Sequence, residues 1–170
     1  MSTNPYAPPT APVADLHSEV EYAGFWIRLG AALIDAVLII AITYPLLYAI
    51  YGAAYFAEDK ASIVAGPADV LISWVLPAVA SIIFWRSRQA TPGKMALSLK
   101  VVDARTGKTL SLGQSVARYL GYFVSTLPLG LGFIWIGFDA RKQGWHDKIG
   151  KAVVIRAKAS TTQPVVFEDA

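Results

Sequence analysis

Cysteine is absent from this chain of 170 residues, which excludes a disulfide framework and a thiolate metal centre. Histidine is scarce. His17 and His146 are the only two, too few for a multi-histidine metal site, and one histidine beside one aspartate supplies too few ligands for a metal. Charge is scarce as well: Asp, Glu, Lys and Arg make up 16% of the residues, where a soluble domain carries nearer a quarter. Gly-x-Ser-x-Gly and His-Glu-x-x-His do not occur, nor do paired acids with suitable histidines. An enzyme is therefore the least expected class, and no cofactor is expected. Thr91-Pro-Gly-Lys94 lacks the glycine–lysine spacing of a phosphate loop and reads as a connecting turn. No basic cluster is interleaved with aromatics as a nucleic-acid groove requires.

What the chain has instead is long apolar sequence. It is 55% hydrophobic, with a mean hydropathy of +0.45. Its length fits one domain. The composition is that of an integral membrane protein whose first partner is the lipid bilayer. The net charge of +3 is carried by residues flanking apolar segments, so it reads as a determinant of membrane orientation.

Residues 1–21 are polar and rich in proline (Pro5, Pro8, Pro9, Pro12), the composition of a disordered tail. They do not have the basic start and short apolar core of a signal peptide. A first spanning helix is expected from Phe25 to about Tyr48, with Pro45 placed to kink its end. A second runs from about Pro67 to Trp85, closed by Arg86 and Arg88. Tyr48, Tyr51, Tyr55 and Phe56 form the aromatic belt expected at headgroup level. Leu97 to Val102 alternates and Arg105-Thr-Gly-Lys108 supplies a turn, so a β-hairpin is expected there. Lys151 to Arg156 is a further strand candidate, and three strands suffice for a small sheet. Residues 157–170 read as a flexible tail.

Charges inside the first apolar run are its most informative feature. Arg28 and Asp35 each cost about 2.5–3.5 kcal/mol if placed at the bilayer centre. Seven positions apart, they share a helix face but lie roughly 10 Å apart along the axis. They cannot pair directly, so each needs a partner from another segment, a backbone carbonyl or water. Arg28 can snorkel to the interface. Asp35 lies about a third of the way across a ~30 Å core and is the more anomalous charge. Ala32 and Ala36 on the same helix favour close helix contact.

The third apolar region, Leu112 to Phe138, is amphipathic in its first half. Gln114, Arg118, Tyr122 and Ser125 share one face, and Pro128-Leu-Gly-Leu-Gly132 interrupts the run. Arg118 and Gln114 face either headgroups or the β-hairpin, with snorkelling to headgroups the favoured reading. Seven basic residues from Arg86 to Arg118 oppose Asp103 alone, and the stretch after Phe138 is also basic. Both therefore read as cytoplasmic, and the loop with Glu58 and Asp59 as external. A straight crossing would put one basic stretch outside, so a re-entrant or interfacial hairpin is favoured. The expected fold is mainly α: two transmembrane helices, that third region and a small cytoplasmic β-hairpin or sheet.

Ala23-Gly-Phe-Trp-Ile-Arg28 with Asp35, Thr91-Pro-Gly-Lys94, and Phe138-Asp-Ala-Arg-Lys-Gln-Gly-Trp-His-Asp-Lys-Ile-Gly150 together resemble the RDD family of bacterial membrane proteins. The resemblance covers residues 22–156. It implies that Arg28 is the family's arginine, Asp35 its first aspartate and Asp147 its second, with Asp139 the less favoured match. It also implies a multi-pass protein of the bacterial inner membrane. Transport of ions or small solutes is the usual suggestion for such proteins.

Two functions remain open on the residues. In one, Arg28, Asp35 and Asp147 lie on or near a path for a small cation or proton, with His146-Asp147 as a cytoplasmic gate or relay and Arg28 as partner of Asp147. In the other, the same charges are structural salt bridges of a non-transporting scaffold. Two spans are too few to enclose a pathway, so a homo-oligomer is expected, with both termini cytoplasmic.

Overall fold

The computed structural model describes residues 20–56 and 64–157. Of the tails expected at 1–21 and 157–170, residues 1–19 and 158–170 lie outside them, as do the acidic loop residues Glu58 and Asp59. Helix α1 spans Phe25–Tyr51, 27 residues, or about 40 Å at 1.5 Å per residue. Pro45 lies inside it without ending it, and Gly52 closes it at φ 69°. The second span, Pro67–Arg88, comprises α2 (Pro67–Val70), a π-helical turn (Leu71–Val75) and α3 (Leu76–Arg88). The wide turn falls where Pro77 lacks the N–H that would bond Ser73. Both spans are long and apolar enough to cross a membrane, with 11% of each hydrophobic window buried in the protein. Leu33, Val37 and Ile42 of α1 face outward, as lipid-facing residues do.

Past Gln89 the chain turns into a short helix, α4 (Pro92–Ala96), started by Pro92 at its first position. Strand β2 (Leu99–Asp103) follows, then α5 (Leu112–Thr126) and α6 (Leu131–Ile134), extended by a 3-10 turn at Trp135–Gly137. The third apolar region is thus a bent pair, turned by 112° at the Pro128–Gly130 break. Helix α7 (Trp145–Ile149) and strand β3 (Ala152–Ala157) complete the fold.

Three antiparallel strands form the sheet in the order β1-β3-β2, with β1 at Val20–Tyr22. Val101 pairs with Val154 and Tyr22 with Ile155. Two expectations are corrected here. The segment from Leu97 is not a hairpin: β2 pairs with the distant β3. The turn at Arg105–Lys108 does form, with the Asp103 amide donating to the Lys108 carbonyl at 2.8 Å. The chain then enters a helix because Ser111 and Gln114 make a reciprocal capping box, which satisfies orphan N–H groups at the start of α5. Val20 and Glu21, read as the end of a tail, instead supply an edge strand, and the Glu21 carboxylate accepts from Arg156.

One core cluster, including Ala31, Trp85, Leu99, Val101 and Val154, ties the sheet to the helices. Close helix approach occurs at Ala31 rather than at Ala32 and Ala36, which are exposed. Its partner is Gly93 of α4, where an added Cβ would fall 2.1 Å from the Ala31 carbonyl oxygen.

Candidate functional site: a buried ion-pair cluster beneath the spans

Asp147 is the centre of the site. It lies at the third position of α7 and has no exposed surface. Its Oδ2 accepts from the Gly144 amide at 3.1 Å and from Arg28 Nη1 at 2.6 Å. Its Oδ1 accepts from Arg118 Nε at 2.9 Å, with Nη2 at 2.8 Å. The folding that brings these groups together is long-range and depends on close approach of the helices. Gly121 lets α7 lie on α5, since a Cβ there would fall 2.7 Å from the His146 Cα. Arg28 comes from the first turns of α1, 119 residues from Asp147 in sequence. Burial alone would raise the Asp147 carboxyl. The flanking Arg28 and Arg118 outweigh it and hold the group well below the usual carboxylate range.

Arg118 is fully buried, not snorkelled. Its guanidinium lies 4.5 Å from the Trp85 ring centroid and 5.6 Å from that of Tyr122. Aromatic faces and one carboxylate replace the water it gives up. The expectation of headgroup contact fails because the polar face of α5 is covered by α7. Gln114 on the same face donates to Asp103.

His146 is buried between Tyr122 and Phe133, with ring centroids at 4.5 and 5.0 Å. Burial lowers its pKa to about 3, so the ring is neutral at pH 7. Nδ1 lies 3.2 Å from Ser125 Oγ, and Nε2 lies 3.5 Å from Asp147 Oδ1. Asp139 stands apart from the cluster. It closes the turn before α7 by accepting from the Arg141 and Gln143 amides at 3.1 and 3.0 Å and from Lys148 Nζ at 2.5 Å.

Asp35 finds its partner at Thr91–Lys94, the expected connecting turn, which forms the start of α4. Its Oδ2 accepts from Thr91 Oγ1 at 2.5 Å and its Oδ1 from the Gly93 amide at 2.6 Å. Lys94 Nζ lies 3.9 Å away. A helix start leaves N–H donors without intrahelical acceptors, and here a carboxylate from the neighbouring span takes one of them. Burial lowers Lys94 to about 8, Arg118 pushes it the same way, and Asp35 partly opposes them.

Two cavities flank this pair. One of about 350 Å³ is lined by Arg28, Lys94, Arg118 and His146 together with apolar side chains of α1 and α6. The other, of about 240 Å³, opens onto Asp35, Thr91, Lys94 and the facing walls of α1 and α3. Lys94 and Tyr122 line both. Among the described residues no group of three or more metal-ligating side chains is present.

A further buried acid, not singled out from the sequence, lies at the opposite end of the spans. Asp69 accepts from Tyr55 Oη and Ser73 Oγ, each at 2.7 Å, and from the Ala65 amide at 2.9 Å. Its place in the first turn after Gly66-Pro67 is the signal that marks it as a capping acid.

Two membrane-length helices, a bent third helical region and an Arg–Asp–Arg cluster beneath them define a small membrane protein organised around buried ion pairs. The chain belongs to the RDD family, whose model matches residues 22–151. It is 33% identical over 147 residues to the uncharacterized protein YxaI of Bacillus subtilis, covering 78% of this chain and 96% of that one. It is also 28% identical over 142 residues to the uncharacterized membrane protein YteJ of the same organism, covering 81% and 82%. A shorter match, 36% identical over 63 residues, is to a proline-rich antigen homolog of Mycobacterium tuberculosis, 37% of this chain and 26% of that one. No solved structure matches the chain significantly.

Proposed function

We propose that the protein moves a small ion or solute across the bacterial inner membrane, past the Asp35–Lys94 pair. The observation that carries this reading is the position of that pair between two cavities, with Asp35 opening into one and Lys94 lining both. A carboxylate and an ammonium 3.9 Å apart form a loose pair that a passing cation or proton can exchange with. In this reading Arg28, Asp147 and Arg118 are the fixed frame, and no catalytic step is assigned to the chain. Two spans do not enclose a path, so the working unit is a homo-oligomer. Basic residues near Arg86 and after Phe138 support a cytoplasmic position for the sheet and both termini.

The test is flux in proteoliposomes under a cation or proton gradient. Asp35→Asn is expected to abolish it while the folded protein persists. Lys94→Arg keeps the charge but not the readiness to lose a proton, and is expected to reduce flux with little change in Tm. Wild-type flux in both variants would sink the reading.

The alternative, a non-transporting scaffold, draws support from Asp147, whose carboxylate is saturated by two arginines and a backbone amide. It expects no flux in the wild type and a loss of oligomer yield in Asp35→Asn.

A further inference from the structure

The first cavity has a chemistry that transport past Asp35 does not explain. Arg28 Nε, Arg28 Nη2 and Arg118 Nη1 are buried without a hydrogen-bond partner. Asp147 takes Arg28 through Nη1 and Arg118 through Nε and Nη2, and these three nitrogens are left over. Unmet buried donors of this kind are costly. Charge is unbalanced in the same way. Arg28, Arg118 and Lys94 meet the two carboxylates of Asp147 and Asp35, an excess of one positive charge (3 − 2 = 1). Apart from His146 and Tyr122, the rest of the cavity wall is apolar, with Phe25 and Leu29 of α1 and Leu129, Phe133 and Ile134 around the bent pair.

We propose that this cavity binds an acidic phospholipid, its phosphodiester on Arg28, Arg118 and Lys94 and its acyl chain along the α1–α6 wall. A phosphodiester carries the single negative charge that the cluster lacks, and its two free oxygens suit guanidinium donors. The volume of about 350 Å³ is at the small end of ligand sites, enough for a headgroup and the start of a chain. The site lies at the first turns of α1, where a spanning helix meets the headgroup layer. A zwitterionic lipid brings a cation with its phosphate and leaves the excess charge in place. A free phosphate satisfies the donors but not the apolar wall. The proposal does not depend on transport, and its test does not read flux.

The full chain in neutral detergent is titrated with phosphatidylglycerol, phosphatidylcholine or inorganic phosphate, and Tm is followed by tryptophan fluorescence. Phosphatidylglycerol is expected to raise Tm saturably, by about 5–10 °C at roughly 100 times Kd. Phosphatidylcholine and inorganic phosphate are expected to leave it within about 1 °C. Leu29→Trp fills the cavity from a partly exposed position and is expected to lose the shift with the lipid-free Tm retained. Leu33→Trp, outside the cavity lining, is expected to keep both. Should Leu29→Trp not fold, Lys94→Gln is expected to raise the half-saturating lipid concentration about fivefold. Equal shifts from the two lipids would overturn the proposal, as would an equal shift from inorganic phosphate. Persistence of the full shift in whichever of these cavity variants folds would overturn it too.

Discussion

Asp35 and Asp147 are both aspartates at the sheet-side end of the spans, and they differ in what answers their charge. Asp147 is bound by two arginines and a backbone amide, with no exposed surface. Asp35 is bound by a hydroxyl, one amide and a lysine at 3.9 Å, beside a cavity. Guanidinium does not lose its proton in proteins, whereas an ammonium does when buried. The Asp147 cluster therefore has one charge state, and the Asp35–Lys94 pair has more than one within reach of ordinary pH. A fixed cluster suits architecture and a switchable one suits exchange. The two aspartates are equal in letter but not in consequence.

The largest effect expected is from Asp147→Asn. It leaves Arg28 and Arg118 buried without a counter-charge, a loss of about 3–5 kcal/mol, read as a collapse of Tm or of folded yield in detergent. Asp35→Asn removes hydrogen bonds to a charged acceptor, a loss of about 2 kcal/mol, because Lys94 can respond by shedding its proton. If the two variants cost the same, the division into a fixed and a switchable aspartate fails.

Acid sharpens the comparison next. His146 in the folded protein has its pKa lowered to about 3 by burial, against about 6.5 unfolded. Between these values the unfolded chain binds a proton that the folded one does not, so stability falls as pH drops from 6.5. Between pH 7 and 4.5 the expected loss is about 2–3 kcal/mol, measured by fluorescence-detected unfolding at stepped pH. His146→Phe keeps an aromatic ring packed between Tyr122 and Phe133 and is expected to flatten this window. Asp147, held low by its arginines, adds a further loss only below the ordinary carboxylate range, near pH 4. A flat wild-type profile from 7 to 4.5 would mean that His146 is not buried as described.

Much of this was legible in residue types. Two apolar runs of spanning length gave the helices, and Pro128 to Gly132 marked the bend. Basic flanks put Arg28 and Asp147 at one depth, which is where they meet. Strand pairing was less legible, since alternation shows that Leu99 to Asp103 is a strand but not which strand lies beside it. Ser111 and Gln114, a capping box in plain sight, were the residues that argued against a hairpin. Arg118 was ambiguous because a polar helix face serves equally against headgroups and against a covering helix. The partner of Asp35 was hardest to read, because half of it is a backbone N–H at Gly93, which no residue letter records.

The smallest effect expected is the one that best separates burial from distance. Lys148 Nζ lies 2.5 Å from Asp139 Oδ1, as close as Arg28 lies to Asp147, but the lysine side chain is 46% exposed. Asp139 keeps two backbone amides as donors when Lys148 is removed. Lys148→Ala is therefore expected to cost about 0.2–1 kcal/mol, and less at high salt, since exposed pairs are screened over about 10 Å at 0.1 M. Chemical unfolding at low and high ionic strength measures both. Asp147→Asn, by contrast, is expected to be nearly indifferent to salt. If Lys148→Ala proved as costly as Asp147→Asn, contact distance rather than burial would set the strength of these pairs, and the contrast between the two aspartates would need another cause.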